Sequence, residues 1–244
     1  MSDTKTAGII IIGNEILSGK VQDTNSFYLA AELRGLGVNV RRISVIPDEI
    51  EIIGKEVFDF SHTYDLIFTS GGVGPTHDDV TMAGIAKGFG VKIIRHQEIK
   101  NFLSIKYNKP LNDAILKMTE VPEGAEIIVF EDIRFPIISF KNIFIFPGIP
   151  EYFKNKFSLI KERFRSSPFY LKWLFLNTHE SSIADILNAV VSENTDVDIG
   201  SYPVVGNPEY RIMVTIESKS DVSLNRALDD LKSKLPENIL VRIE

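Results

Sequence analysis

The densest run of residues able to do chemistry is Thr69-Ser70-Gly71-Gly72-Val73-Gly74-Pro75-Thr76-His77-Asp78-Asp79-Val80-Thr81. Three glycines within four residues let backbone N–H groups approach an anion closely, and a helix predicted to begin at Asp78 adds partial positive charge. Ser70, Thr76 and Thr81 add hydroxyl donors. The run is not the dinucleotide fingerprint of Rossmann folds, and the chain holds no Walker A sequence. A plainer reading is a tight strand-to-helix turn capped by Asp78 or Thr76. The Asp78-Asp79 pair weighs against that reading alone. Two carboxylates at the mouth of a phosphate loop repel the phosphate unless a divalent cation lies between them. Mg²⁺ and Mn²⁺ take such hard oxygen ligands and bridge to phosphate oxygens.

Two further clusters carry polar groups at the start of helices. Gly13-Asn14-Glu15-Ile16-Leu17-Ser18-Gly19-Lys20 leads into Gln22-Asp23-Thr24-Asn25, and Asp48 sits in Pro47-Asp48-Glu49. The first could hold ribose hydroxyls or a metal, or could be a polar loop with Asp23, Thr24 or Asn25 capping a helix. Asp48 alone reads as a cap. Their convergence is the argument: Asp23, Asp48, Asp78 and Asp79 all follow strands of one expected sheet. Several carboxylates beside an anion loop suggest metal-assisted work on a phosphate or pyrophosphate. Of the four histidines, His62, His77, His96 and His179, only His77 falls in a candidate site, where it could move a proton or touch phosphate.

These clusters need elements to hold them. Ile9 to Ile12 reads as a buried strand, and Thr24 to Gly35 as a helix with Leu29, Leu33 and Leu36 on one stripe. Val38 to Ile46 is a strand, and Asp48 to Ser61 a helix with Ile50, Ile53, Val57 and Phe60 inward. Leu66 to Thr69 is a strand, followed by a helix from Asp78 to Lys87. Three β-then-α units predict a parallel sheet covered by helices on both faces, with ligands outside the carboxyl ends of the strands. Phe135 to Phe140 and Ile143 to Phe146 predict a hairpin turning at Lys141-Asn142. Pro147-Gly148-Ile149-Pro150 then enters a helix from Glu151 to about Arg165. Ser166-Ser167-Pro168 reads as a linker between domains at 1–168 and 169–244. The second reads β-α-β-β-α-β, from Trp173 to Leu176, Ser182 to Val191, Asp198 to Val205, Tyr210 to Ile216, Ser223 to Leu235 and Ile239 to Ile243. That order is the ferredoxin-like one. Trp173 and the Phe-rich stretch read as packing, or as an aromatic surface for a subunit or a flat ring.

Composition narrows the function. The 244 residues carry 27 Lys+Arg against 33 Asp+Glu, a formal charge of -6. That balance disfavours a binder built on nucleic-acid phosphate contacts. With no cysteine, disulfides, Cys-ligated zinc, iron–sulfur sites and a thiol nucleophile are excluded. No apolar run is long enough to predict a membrane span, and Met1 to Thr6 lacks the pattern of a signal peptide. A cytoplasmic protein with no membrane partner is expected.

Taken together, Gly13-x-Glu15-Ile-Leu-x-Gly19, Asp23-x-Asn25, Asp48, the Gly71-Gly72-x-Gly74-Pro75-Thr76-x-Asp78-Asp79-x-Thr81 loop and Pro147-Gly148-x-Pro150 resemble the molybdopterin-binding domain superfamily. Within it the chain is similar to the competence/damage-inducible family and, more so, to the molybdopterin-binding-like domain of FAD synthase. The latter similarity extends through Lys141 to Pro150, Ile199 to Pro203 and Tyr210. The resemblance implies a three-layer α/β/α fold and a pocket for a nucleotide or pterin phosphate. In those branches it implies hydrolysis of the pyrophosphate bond of FAD or ADP-ribose to AMP, with a divalent metal (Mg, Mn or notably Co) and potassium. In the cofactor-synthesis branch, positions matching Asp48 and Asp79 act in magnesium-dependent adenylylation of molybdopterin. Asp48 and Asp79 are therefore expected to hold the metal, with Asp78 beside them. Gly13, Asn14, Glu15, Asp23, Asn25, Ser70, Gly71, Gly72, Gly74, Thr76, Thr81, Pro147 and Gly148 are expected to line the substrate. Homo-oligomers are common in the superfamily. Many relatives carry Asp at the position of Asn14, and an Asn-x-x-Gly-x-Ala-Pro-Gly-like stretch is not present around Glu131 to Phe140. No reductase-like or amidase domain is recognised, so FAD synthesis and nucleotide deamidation are not expected of this chain. Binding without turnover, or adenylyl transfer to molybdopterin, are the alternatives.

Overall fold

The computed structural model describes residues 4–108, 110–130 and 135–244. The polar start at Met1 and the divergent stretch beginning at Glu131 lie in part outside these residues. The chain divides into two compact units at Ser166/Ser167.

The first unit runs β1 (Thr6–Ile12), α1 (Asn14–Leu17), α2 (Asn25–Gly35), β2 (Asn39–Ile46), α3 (Ile50–Thr63), β3 (Leu66–Ser70), α4 (Thr81–Phe89), β4 (Ile93–Arg95), α5 (Gln97–Tyr107), α6 (Asp113–Lys117), β5 (Glu120–Pro122), β6 (Glu126–Ile128), β7 (Ile137–Phe140), β8 (Ile143–Phe146) and α7 (Pro150–Ile160). A 3₁₀ turn, Lys161–Phe164, continues α7, so the single helix expected to Arg165 ends in a tighter turn. Six strands form one sheet in the order β2-β1-β3-β8-β7-β6. The pairs β1–β2, β1–β3 and β3–β8 are parallel, whereas β7–β8 and β6–β7 are antiparallel.

Alternation along β1 explains the three layers. Ile10 and Ile12 face one way and pack with Ile53, Val57 and Phe60 of α3 and Ile85 of α4. Ile9 and Ile11 face the other way and pack with Leu29 and Leu33 of α2 and Phe153 and Phe157 of α7. Each fully buried Leu or Ile of this kind contributes about 1.5–3 kcal/mol. Helices α3 and α4 meet backbone to backbone, because a Cβ on Gly88 would lie 2.2 Å from the Gly54 carbonyl oxygen. Ile50, expected on the inward stripe, is 39 % exposed because it is the first residue of α3. The strands from β4 to β6 have three residues each, too short to show a period in the sequence, and β4 and β5 form a separate two-stranded ladder.

The second unit runs β9 (Tyr170–Leu176), α8 (Glu180–Glu193), β10 (Asp198–Pro203), β11 (Ile212–Ser218), α9 (Asp221–Lys234) and β12 (Leu240–Ile243). Its sheet has the order β10-β11-β9-β12, antiparallel throughout. Leu174, Leu176, Val214 and Ile216 pack against Ile183, Leu187, Leu224 and Leu231 of the two helices. Trp173 alternates with Leu174, and its ring centroid lies 6.5 Å from that of Tyr202. The expected fold class holds: a three-layer α/β/α unit with a mostly parallel sheet, and a smaller α+β unit. Among the described residues, no helix is long and apolar enough to cross a membrane.

Candidate functional site

The parallel strands β1, β2, β3 and β8 end at one edge of the sheet, and the loops that follow them are tied together there. At the end of β1, the Gly13 amide donates to the Ile46 carbonyl of β2 at 3.1 Å. The Asn14 amide donates to Asp48 Oδ2 at 2.8 Å, so Asp48 holds the start of α1 rather than that of its own helix. Asp48's other oxygen lies 3.4 Å from where a Cβ on Gly72 would sit. That places the half-buried carboxylate against the glycine loop.

Gly71 has φ +109° and its missing Cβ would lie 2.0 Å from the Ile12 carbonyl oxygen, so no side chain fits there. Its amide donates to the Phe146 carbonyl of β8. The Thr81 hydroxyl donates to the Gly71 carbonyl at 2.8 Å, and the Thr81 amide to the Gly72 carbonyl at 3.0 Å. At the loop's far end, Asp79 Oδ2 accepts the Thr76 amide at 2.8 Å and the Thr76 hydroxyl. The same oxygen lies 2.7 Å from the Cβ position of Gly74. The amides of Gly72, Val73 and Gly74 make no hydrogen bond among the described residues. Three successive open donors thus lie between two carboxylates, an arrangement able to accept an anion.

The loop after β8 closes one side. Asn25, 5 % exposed at the first turn of α2, donates through Nδ2 to the Gly148 carbonyl at 2.7 Å and to Ser70 Oγ at 2.9 Å. Ser70 Oγ in turn donates to the Pro147 carbonyl at 3.3 Å. A Cβ on Gly148 would lie 3.4 Å from Gly71 Cα. Asn25 Oδ1 is buried without a partner. Asn25, Ser70, Pro147 and Gly148 therefore brace the glycine loop.

Several expectations are corrected. Helix α4 begins at Thr81, three residues later than expected; residues 76–79 close a turn, and the N-cap position is Val80 with no side-chain cap. Neither Asp78 nor Thr76 caps it. The amide of Gly71 and the hydroxyls of Ser70, Thr76 and Thr81 already have protein partners. Asp23 accepts the Asn25 and Ser26 amides at 2.9 and 3.1 Å, the capping role weighed for it. The Glu15 carboxylate leans over Gly13, 2.6 Å from its Cβ position. Asp78 is exposed; the Thr76 hydroxyl beside it, ahead of its backbone bond and the His77 and Lys117 charges, holds its carboxyl below the usual range. The His77 ring is 98 % exposed, 3.9 Å from Asp78.

Sequence reasoning missed Lys117. The end of α6 brings its ammonium onto the Thr76 carbonyl. Forty-one residues separate the two, and no local pattern signals the contact.

Among the described residues, no three His, Asp or Glu side chains gather as an all-protein metal cage. The donor set still suits an ion held jointly with phosphate. Asp48 and Asp79 each commit one oxygen internally and keep one without a hydrogen-bond partner among the described residues. Mg²⁺ is commonly held by one or two carboxylates plus substrate phosphates.

A doubly covered, mostly parallel sheet with a glycine-rich loop at its carboxyl edge defines an open α/β class of protein. Residues 8–166 match the family described as a probable molybdopterin binding domain, and the chain belongs to that family. Residues 168–244 match the FAD synthase, middle domain. A protein of Archaeoglobus fulgidus is 38 % identical over 227 residues, covering 93 % of this chain and 96 % of that one. A probable FAD synthase of Caenorhabditis elegans is 32 % identical over 98 % of this chain; the chain spans 52 % of that protein's length. The crystal structure of the protein CinA of Thermoplasma acidophilum superposes with a TM-score of 0.61 at 29 % identity, covering 66 % of this chain and 99 % of that one.

Proposed function

We propose that the first unit binds a nucleotide or pterin through its phosphates and hydrolyses a pyrophosphate bond, with FAD or ADP-ribose giving AMP and a second phosphate. The observation that carries this reading is the row of open amides at Gly72, Val73 and Gly74 between the free oxygens of Asp48 and Asp79. The similarity to an FAD synthase over half its length supports a flavin or adenine nucleotide as the ligand. The open amides would hold phosphoryl oxygens, and the glycines allow close approach without side-chain clash. Asp48 and Asp79 would hold a divalent ion, which polarises a phosphoryl oxygen when bound. The water oxygen joins one phosphorus as the bridging P–O bond breaks. The departing phosphate keeps the bridging oxygen, and the water's proton is released to a carboxylate or to solvent.

A second reading, binding without turnover, is favoured by two features. Asp79 is already hydrogen-bonded by Thr76, and Asn14 stands where an acidic residue would complete a ligand set. The purified protein is to be incubated with FAD and with ADP-ribose, in Mg²⁺, Mn²⁺ or Co²⁺ with and without K⁺. Release of AMP is expected. Folded protein that yields no AMP with any metal overturns hydrolysis. Adenylylated molybdopterin formed from ATP establishes transfer instead.

A further inference from the structure

The six-stranded sheet ends in two unlike edges. β6 on one side has three residues, whereas β2 on the other has eight. An open edge of that length presents unpaired N–H and C=O groups to any strand that approaches. The register fixes which groups these are. The Ile46 carbonyl accepts the Gly13 amide, so Ile46, Ser44 and Arg42 turn their backbone groups toward β1. Ile43 and Val45 therefore turn theirs outward, where no strand pairs with them among the described residues.

Apolar side chains follow the same strip. Ile43 and Val45 lie beside Ile9 and Ile11 on the α2 face of the sheet, yet they are 45 % and 38 % exposed. Phe27 of α2 is 81 % exposed. It stands two turns before Arg34, whose guanidinium lies 3.5 Å from Asn39 Oδ1 of β2, so Phe27 shares the stripe of α2 turned to this edge. The strand is blunted at both ends. Arg41 is the additional residue of a bulge opposite Ala7 and Gly8, and Pro47 has no N–H to offer. Residues 42–46 remain as the open part.

This strip is complementary to itself. Laid antiparallel to a second copy and centred on Ser44, it sets Ile43 opposite the partner's Val45, and Val45 opposite the partner's Ile43. Both are outward-turned residues, so each pair exchanges N–H···O bonds in both directions. Their β-branched side chains then meet across the strands on the exposed face. The ends agree as well. The basic start of one strand, Arg41 and Arg42, runs beside the acidic end of the other, Asp48 and Glu49. A strand from another protein must match all three features separately, whereas a second copy matches them by symmetry.

We propose that two copies of this chain pair through their β2 strands, antiparallel and centred on Ser44, joining the two sheets into one. Ser44 then faces its own counterpart at a non-hydrogen-bonded position, where Cα atoms lie about 4.5 Å apart. That spacing accepts a disulfide, and the chain has no cysteine of its own. The full chain is to be followed by sedimentation equilibrium over a range of concentrations. The expected mass is twice 27.4 kDa, falling toward that of one chain on dilution. Ser44→Cys is expected to give a cross-linked dimer on mild oxidation. Val222→Cys, at a more exposed position of the second unit, is expected not to. The double variant Ile43→Lys/Val45→Lys, shown folded by circular dichroism, is expected to raise the dissociation constant roughly tenfold or more. Should that variant not fold, Arg41→Glu, which sets like charges at the strand ends, is expected to weaken the dimer by a smaller factor. A single-chain mass at every concentration overturns the proposal. So does a dimer that the folded edge variant leaves unchanged, one in which Ser44→Cys fails to cross-link, or equal cross-linking of the two cysteine variants.

Discussion

Each unit holds an acidic cluster, and the two clusters are treated in opposite ways. In the second unit the acidic groups between α8 and α9 are paired off. Asp196 accepts from Arg226 at 2.6 Å and from Ser223. Lys234 reaches Glu193 at 2.6 Å and Asp230 at 2.8 Å, and Asn194 bonds to Val190, Asp230 and Arg226. In the first unit Asp48 and Asp79 keep one oxygen each uncommitted. Strand direction explains the contrast. Parallel strands deliver every following loop to the same edge, so carboxylates far apart in sequence converge without cationic partners. The antiparallel β9–β12 sheet sends successive loops to alternate ends, and its charges are settled between neighbouring helices instead. A cluster of acids is informative about function when its oxygens are left open, and not by its charge alone.

The sharpest way to break this comparison is at Gly71. Gly71→Ala forces a Cβ into the Ile12 carbonyl at positive φ, and a loss of about 3 kcal/mol or more is expected in denaturant titration. An unchanged midpoint would mean that the loop can move away. Next comes the pair Asp79→Asn and Asp196→Asn. The first is expected to lower AMP release roughly hundredfold or more while Thr76 still donates to the remaining oxygen. The second is expected to leave turnover alone and lower the thermal midpoint. If both variants behave alike, the distinction between open and paired carboxylates fails. Asn25→Ala removes the bonds to Ser70 and Gly148 and should destabilise by about 1–3 kcal/mol, read by thermal unfolding. The smallest effect concerns pH. Burial, with a lesser push from Lys106, lowers the Lys156 pKa to about 8, although its ammonium donates to the Pro136 carbonyl at 2.8 Å. Between about 8 and its ordinary 10.5 the unfolded chain binds more protons at this lysine than the folded one. Its contribution to stability therefore rises with pH across that window. The rise should flatten in Lys156→Met when unfolding midpoints are compared.

Much of this architecture is legible in the sequence. The isoleucine run of β1 and the Leu29–Leu33–Leu36 stripe have the periods of a buried strand and a helix face, and burial follows them. The ferredoxin-like order is readable because its two 14-residue helices and its first three strands are long and bounded by turn residues. The stretch from β4 to β6 was not legible: three-residue strands carry no period, and α6 is barely one turn. At the site, the glycines and Asp48 were readable from their place after strands. The start of α4 falls later than its composition suggests, because Asp78 and Thr76 are residues typical of a cap while the turn they form precedes the helix. That Ser70, Thr76 and Thr81 brace the loop could not be foreseen, since a hydroxyl's partner depends on tertiary distance.

Trp173, the chain's one tryptophan, lies on β9 in the second unit. Tryptophan emission excited near its red edge is therefore an optical tag on that unit alone. Tyrosine and phenylalanine absorption, by contrast, draws on both. The two signals followed in one heating scan would show whether the units melt together or in turn, with no label attached.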